Sequence, residues 1–336
     1  MRILSTLSVL LVTCLMISNG HAATTLKIAT LSPDGSFWMQ KMREGANEIK
    51  KQTNGRVKFK FYPGGVMGDD KTVLRKMRFG QLHGAAFTNG SLNIFYPDIQ
   101  LYNLILKFKS LDEIDHIRKH FDPILQKGLE DNKIVSLGFA EIGFAYLMST
   151  KPIASINDLR NQKAWVPENN NIAQAAIEAF SVSPIPLSIR DVLVGLQTGM
   201  VNVVAGSPVG ALALQWHTQV KYITDLPLSY IFGVLAMDSK AFKKISTADQ
   251  KIVRQIMGDA IQEIEKRNRT DNVAAIEAIK NQGIEFIKPS EQAATELREL
   301  ITGANQQLTK TGKLSQHAVD KLNQQLAQLR LKQTQP

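Results

Sequence analysis

The chain has 336 residues, 44% of them hydrophobic, a net charge of +10 and a single cysteine. That length fits one large or two ordinary domains with a sizeable buried core. The basic residues are interleaved with Asp and Glu, and clusters such as Lys71, Arg75, Lys76 and Arg78 fit a solvated helix face, so the charge argues for solubility and against nucleic acid as a partner. The chain opens with Arg2, an apolar run from Ile3 to Ile17, and then Ser18, Asn19, Gly20, His21, Ala22 and Ala23. A charged start, a short apolar stretch and small residues at its end read as a secretory signal peptide spanning residues 1–22, cleaved after Ala22. The run is too short for a membrane-spanning helix of about 20 residues. Thr13 is a poor neighbour for a lipidated Cys14. With the segment removed, the mature chain has no thiol, which excludes disulfides and cysteine-based nucleophiles or metal sites and suits an oxidising compartment.

Strand and helix signals then alternate. Leu26 to Thr30 reads as a strand, followed by the loop Ser32-Pro33-Asp34-Gly35 and a helix from about Ser36 that stops at Asn54-Gly55. Val57, Phe59 and Phe61 alternate with Lys58 and Lys60, the pattern of a half-buried strand. A turn at Pro63-Gly64-Gly65 precedes a helix from Asp69 to about Phe79, then a short strand from Gly84 to Thr88. A helix over Leu111–Leu129 leads to a strand at Ile134–Phe139. The pattern restarts with strands at Gly143–Ser149 and Ala164–Val166 and a helix over Asn170–Phe180. Ser188 and Asp191 have the spacing of a capping box. Strands at Val201–Ala205 and Ser229–Met237 follow. Ser246 with Asp249 marks another helix start, and an apolar face from Ile252 to Ile264 opens a helix that continues without proline to about Asn281. A strand at Ile284–Ile287, two helices and a Gln-rich tail expected to fray end the chain. Alternating β and α elements with a restart predict an α/β protein of two lobes, which binds ligands between the lobes or beyond strand ends.

Catalytic signatures are missing: there is no Gly-x-Gly-x-x-Gly, no phosphate loop and no Gly-x-Ser-x-Gly elbow. His116 and His120 could share a helix face, but no third metal ligand accompanies them, so a solvated face is the better reading. His83 and His217 stand alone. Asp69 and Asp70 sit at a helix start, where acids stabilise the N-terminus. The three tryptophans, Trp38, Trp165 and Trp216, lie near predicted loops or strand ends and are candidates for either core or ligand contact. No cofactor, no metal and no enzymatic activity are expected.

Several blocks in order are similar to those of one family. Gly55-Arg56-Val57, Phe61 to Gly65, Gly68-Asp69-Asp70, Asn161 to Pro167, Leu196-Gln197-Thr198-Gly199 and the stretch from Tyr222 resemble the DctP-like periplasmic binding subunits of TRAP (tripartite ATP-independent periplasmic) transporters. The resemblance implies a two-lobed periplasmic binding protein fold, a ligand cleft between the lobes and a long helix, Thr247 to Asn281, bridging both. It places lobe I at residues 23–141 plus 229–262 and lobe II at 142–228 plus 263–325, with 326–336 as the tail. It also implies a periplasmic location, a small and a large membrane subunit as partners, and transport driven by an ion gradient. The expected ligand contacts are Trp165, Trp38, Phe87, Asn89, Phe144, Ala145, Glu168, Ile189, Ala205, Gly206 and Trp216.

The departures from the family matter as much. The position before Val166-Pro167, where the family usually has a carboxylate-binding arginine, is Trp165. A second arginine that often follows the Gly-Phe pair is replaced by Ala145, and Ala205 and Gly206 stand where an acid and an amide are usual. Indole cannot provide the bidentate fork of guanidinium, and a buried carboxylate without a cation costs several kcal/mol. The expected ligand is therefore apolar or weakly polar. The alternatives are an organic acid held by a relocated cation such as Arg190 or Lys163, and a sensory module using the same cleft. Some binding subunits lacking this arginine resemble partners of tetratricopeptide-repeat proteins, which gives this chain a further candidate partner.

Overall fold

The computed structural model describes residues 23–168 and 170–333; the signal segment with Cys14 lies outside the described residues, as does the side chain of Asn89. The strands are β1 (Thr24–Thr30), β2 (Val57–Tyr62), β3 (Gly84–Thr88), β4 (Ile134–Ser149), β5 (Ala164–Pro167), β6 (Pro184–Leu187), β7 (Val203–Gly206), β8 (Tyr222–Thr224), β9 (Ser229–Asp238) and β10 (Glu285–Ile287). The helices are α1 (Phe37–Gln52), α2 (Asp70–Arg78), α3 (Leu111–Asp131), α4 (Ile156–Arg160), α5 (Asn171–Ala179), α6 (Val192–Gln197), α7 (Pro208–Ala213), α8 (Ser239–Phe242), α9 (Thr247–Asn281), α10 (Glu291–Lys310) and α11 (Gln316–Gln333).

Strand order runs β2-β1-β3-β9-β4-β7-β5-β6, with β8 also paired to β4 and β10 paired to β8. β1 is parallel to both β2 and β3, as crossover helices require. β3 and β9 are antiparallel, and a Cβ on Gly84 would come within 2.4 Å of the Ala236 carbonyl oxygen, so only glycine lets the two backbones lie together there. Two lobes share this sheet system through β4. Residues 134–145 of β4 pair with β9, and residues 146–149 pair with β7. The expectation of two separate strands, 134–139 and 143–149, is corrected here. They form one strand whose register shifts between Ser136 and Gly138 and between Glu141 and Gly143. Each shift is a bulge that inserts a residue and bends the strand without ending it.

The second bulge is fixed by the long helix α9. Its start is capped by Ser246, whose Oγ accepts from the Asp249 amide, as the sequence spacing predicts. Thirty-five residues give it a length of about 52 Å. Val253, Met257, Ile261 and Ile264 are buried against the first lobe's sheet and α1. Further along, Asn268 Nδ2 donates to Glu141 O at 2.6 Å and Asn272 Nδ2 to Ile142 O at 2.7 Å. Asn272 Oδ1 also accepts from Val209 N at the start of α7, so one side chain links the bulge to the second lobe. Gly143 has φ +118°, and a Cβ there would strike Asn272 Nδ2 at 2.6 Å.

Two expectations about the C-terminus are corrected. The Gln-rich stretch is helical to Gln333, with Leu326 buried, so residues 326–333 do not fray. Nor does α11 stay with the second lobe. It packs on α3, where Arg330 grips Glu113 at 2.6 and 2.9 Å, and Ser315 binds both carboxylate oxygens of Asp98 at 2.7 Å. At Ser188 the capping box is replaced by a direct Ser188 Oγ to Asp191 contact of 2.6 Å and a 3-10 turn before α6.

Beside the bulge, Arg269 binds Glu141 Oε2 at 2.7 Å and Asp115 at 2.5 and 2.9 Å. Glu141 is 1% exposed. Burial pushes its carboxyl up, while Arg269 and Tyr230 pull it back. The Arg269 hydrogen bond holds Asp115 below its ordinary value. Arg269→Met should cost about 3 kcal/mol at pH 7, because it leaves Glu141 buried without its cation. The Asp115 contribution is full above the ordinary carboxylate pKa and is lost as pH falls through the lowered one. Urea unfolding of the two proteins should therefore show a gap that narrows as pH falls, first as the stranded Glu141 carboxyl, pushed up by burial, takes its proton above the ordinary carboxylate range, and then as Asp115 is protonated; a gap that stays constant with pH would contradict the assignment.

Candidate functional site

A cavity of about 210 Å³ lies where the two lobes meet. One wall comes from the ends of β3, β4 and β9 and the segments beside them, with Thr88, Gly90, Ser91, Asn103, Ile142 and Ile231. The opposite wall comes from β5, α5 and β7, with Trp165, Glu168, Asn170, Phe180, Ala205 and Gly206. Ile105, Ala145, Leu147, Ala176, Ile177 and Leu228 add further apolar surface.

Trp165 is built into its wall. It stands on β5 between β6 and β7 and is 5% exposed. Its Nε1 donates to Leu187 O at 3.0 Å across the edge of the sheet. The indole N–H is thus already engaged, and the ring contributes apolar surface alone. Trp216 meets it edge to face, with centroids 5.2 Å apart and planes at 73°. Gly206 is what admits Trp216: a Cβ there would lie 3.0 Å from Trp216 Cζ3.

The polar groups gather at one end. Ser91 Oγ donates to Asp70 Oδ2 at 2.6 Å and Thr88 Oγ1 to the same oxygen at 2.8 Å. Burial pushes the Asp70 carboxyl up against these donors. Both hydroxyl hydrogens being committed to Asp70, Thr88 and Ser91 offer lone pairs to the cavity. Asn170 caps α5, its Oδ1 accepting from Ala173 N at 2.9 Å. No lysine, arginine or histidine lines the cavity among the described residues, and Glu168, an exposed residue, is the one ionisable residue that does.

The two cations named as substitutes for the missing arginine lie elsewhere. Lys163 Nζ donates to Gly199 O at 2.8 Å. Arg190 lies over the Gly64-Gly65 turn, its Cδ 3.3 Å from where a Gly65 Cβ would be. Burial raises the Asp69 carboxyl, but its bonds to Thr72 and the charges of Lys71 and Arg190 outweigh this and leave it lowered.

Of the expected contacts, Trp165, Ala145, Glu168, Ile189, Ala205, Gly206 and Trp216 are brought together around the cavity. Trp38, Phe87 and Phe144 are not. Trp38 packs on the cluster containing Leu26, Ile28 and Met42. Phe87 is 1% exposed inside the main core. Phe144 turns edge-on to Tyr230, on the face of β4 opposite to Ala145. Asn89's side chain is outside the described residues. Sequence reading missed Ile142, Phe180, Ile231 and Asn103, apolar or amide residues without a motif to mark them. His116 and His120 meet ring to ring at 5.4 Å, and no group of three or more potential metal ligands occurs among the described residues.

Two α/β lobes that share their crossing strand and enclose a mainly apolar cavity have the architecture of a solute-binding protein. The family model "Bacterial extracellular solute-binding protein, family 7" matches residues 28–311. A relative, the sialic acid-binding periplasmic protein SiaP of Vibrio cholerae, is 23% identical over 303 residues, covering 86% of this chain and 90% of its own. The C4-dicarboxylate-binding periplasmic protein DctP of Rhodobacter capsulatus is 22% identical over 77% of this chain and 78% of its own. Among solved structures, the sugar acid binding protein DctPAm of Advenella mimigardefordensis, in complex with galactonate, aligns with TM-score 0.83 at 17% identity, covering 91% of this chain and 98% of its own. A TRAP periplasmic solute binding protein from Sulfitobacter with bound β-D-galacturonate aligns with TM-score 0.81 at 20% identity, covering 89% and 98%. The chain belongs to this family of extracellular solute-binding proteins, the DctP-like binding proteins of TRAP transporters, a binding family and not an enzymatic one. No helix among the described residues is long and apolar enough to cross a membrane.

Trp165→Phe keeps an aromatic ring but leaves Leu187 O without its donor. Urea denaturation should show a loss of about 1–3 kcal/mol; a change within about 0.3 kcal/mol would mean the bond contributes nothing.

Proposed function

We propose that this binding protein carries a small, uncharged and mainly apolar solute to the membrane subunits of a TRAP transporter. The observation that carries the reading is the charge of the cavity lining: among the described residues it holds no cation, and Glu168 is its one ionisable residue. An anion placed there would lose its hydration, meet no ion-pair partner and be repelled by Glu168, a penalty of several kcal/mol. An apolar body instead gains from each Å² it removes from water against Trp165, Phe180 and Ile142. The volume is below the roughly 300–1,000 Å³ of drug-sized sites, which favours a small solute. In this reading the signal peptide is removed after Ala22. One lobe comprises residues 23–141, 229–262 and the returning helix α11, the other 142–228 and 263–315. They hinge where β4 and β9 cross, near Glu141 and Ser229.

The bound galactonate and galacturonate of the structural neighbours favour a second reading, an organic acid. It requires a cation to enter the cavity, and Arg190 and Lys163, each next in sequence to a lining residue, Ile189 and Ala164, are the candidates that the sequence offered.

Calorimetric titration with D-galacturonate separates the two. The wild type should bind it more weakly than about 1 mM, that is by less than about 4 kcal/mol. Trp165→Arg, which restores the usual guanidinium, should bind it measurably tighter. Micromolar binding by the wild type would overturn the apolar reading and leave the acid reading standing.

A further inference from the structure

We propose that Phe180, with Leu147 and Leu228, limits the length of the solute that the cavity accepts. A second cavity, of about 20 Å³, adjoins the first. Leu147, Phe180 and Leu228 line both, so these three side chains form the partition between them. The second cavity is walled mainly by aliphatic groups, among them Leu106, Ile153, Leu226 and Leu297. Its two hydroxyl side chains spend their hydrogens elsewhere. Ser155 Oγ donates to Asp158 Oδ2 at 2.9 Å, and Thr224 Oγ1 donates to Ile153 O at 2.9 Å. A void without polar partners stays dry and takes apolar groups rather than water.

The partition is part of the scaffold. Phe180 is 2% exposed and closes α5. Its N–H donates to Ala176 O at 3.2 Å, and its carbonyl accepts from Arg160 Nε at 3.4 Å. Ser181 follows in the left-handed conformation, φ +59°, which ends the helix. Leu147 stands on β4 two residues beyond Ala145 and faces the same side. Leu228 N donates to Ala145 O at 2.8 Å, and Leu228 O accepts from Leu106 N at 2.6 Å. The backbone carrying each side chain is therefore held, and a solute too long for the first cavity would have to displace packed side chains, which is costly. The inference rests on the apolar reading and adds what sets the size of the solute: chain length stops being rewarded at Phe180, although apolar space continues behind it.

The test is titration calorimetry with straight-chain primary alcohols from butanol to decanol. In the wild type, affinity should rise about fourfold with each added CH2 and then break off. Phe180→Ala joins the two cavities, so the rise should continue for about two more carbons, a gain of about fifteenfold for the longer alcohols. Leu228→Ala removes a half-buried side chain without touching its backbone bonds, and it carries the test if Phe180→Ala does not fold. Its break should also move to longer chains. A wild-type series without a break overturns the proposal. So does a variant that weakens all the alcohols alike and leaves the break where it was, which is what a merely structural role would give. In both cases the alcohols still bind and the apolar reading stands. Failure of that reading looks different: no alcohol binds to the wild type and D-galacturonate does, and the proposal falls with it.

Discussion

The bulge of β4 at Glu141–Gly143 is the constraint on which the rest of the molecule depends. There the register of the strand against β9 shifts on its way into the second lobe, so the carbonyls of Glu141 and Ile142 need new donors. The long helix supplies them through Asn268 and Asn272. The buried Glu141 carboxylate needs a cation, and the same helix supplies Arg269. Two residues beyond the bulge, Ala145 faces the cavity. The relation between the lobes, and so the shape of the space between them, follows from how one strand bends and what holds the bend.

The cavity that results is defined by what has been withdrawn from it. Trp165 occupies the position where the family usually presents a guanidinium, and its only polar atom is tied to Leu187. Gly206 gives up its side chain to admit Trp216. Asp70 draws the hydroxyl hydrogens of Thr88 and Ser91 towards itself. What remains is a mainly apolar chamber, with the hydroxyls of Thr88 and Ser91 and the amides of Asn103 and Asn170 among its few polar lining groups. Such a chamber selects against charge by desolvation.

How much of this was legible in the sequence depends on whether the signal is local. Alternation in Val57–Phe61, the Ser246 cap and the uninterrupted helix to Asn281 are local, and each appears in the fold. The replacement at Trp165 was visible because a motif surrounds it. The faces of the aromatics were not: Trp38, Phe87 and Phe144 have the composition of ligand contacts but are turned into cores by packing between distant elements. The return of α11 to α3 rests on Arg330–Glu113 and Ser315–Asp98, pairs more than 200 residues apart that no periodicity encodes.

The account's central claim is that the solute is neutral and mainly apolar. Native mass spectrometry of the mature protein as purified, followed by release and identification of the bound molecule, tests it most directly. The account predicts a small neutral compound with a mainly hydrocarbon body. Recovery of a dicarboxylate or a sugar acid would contradict it.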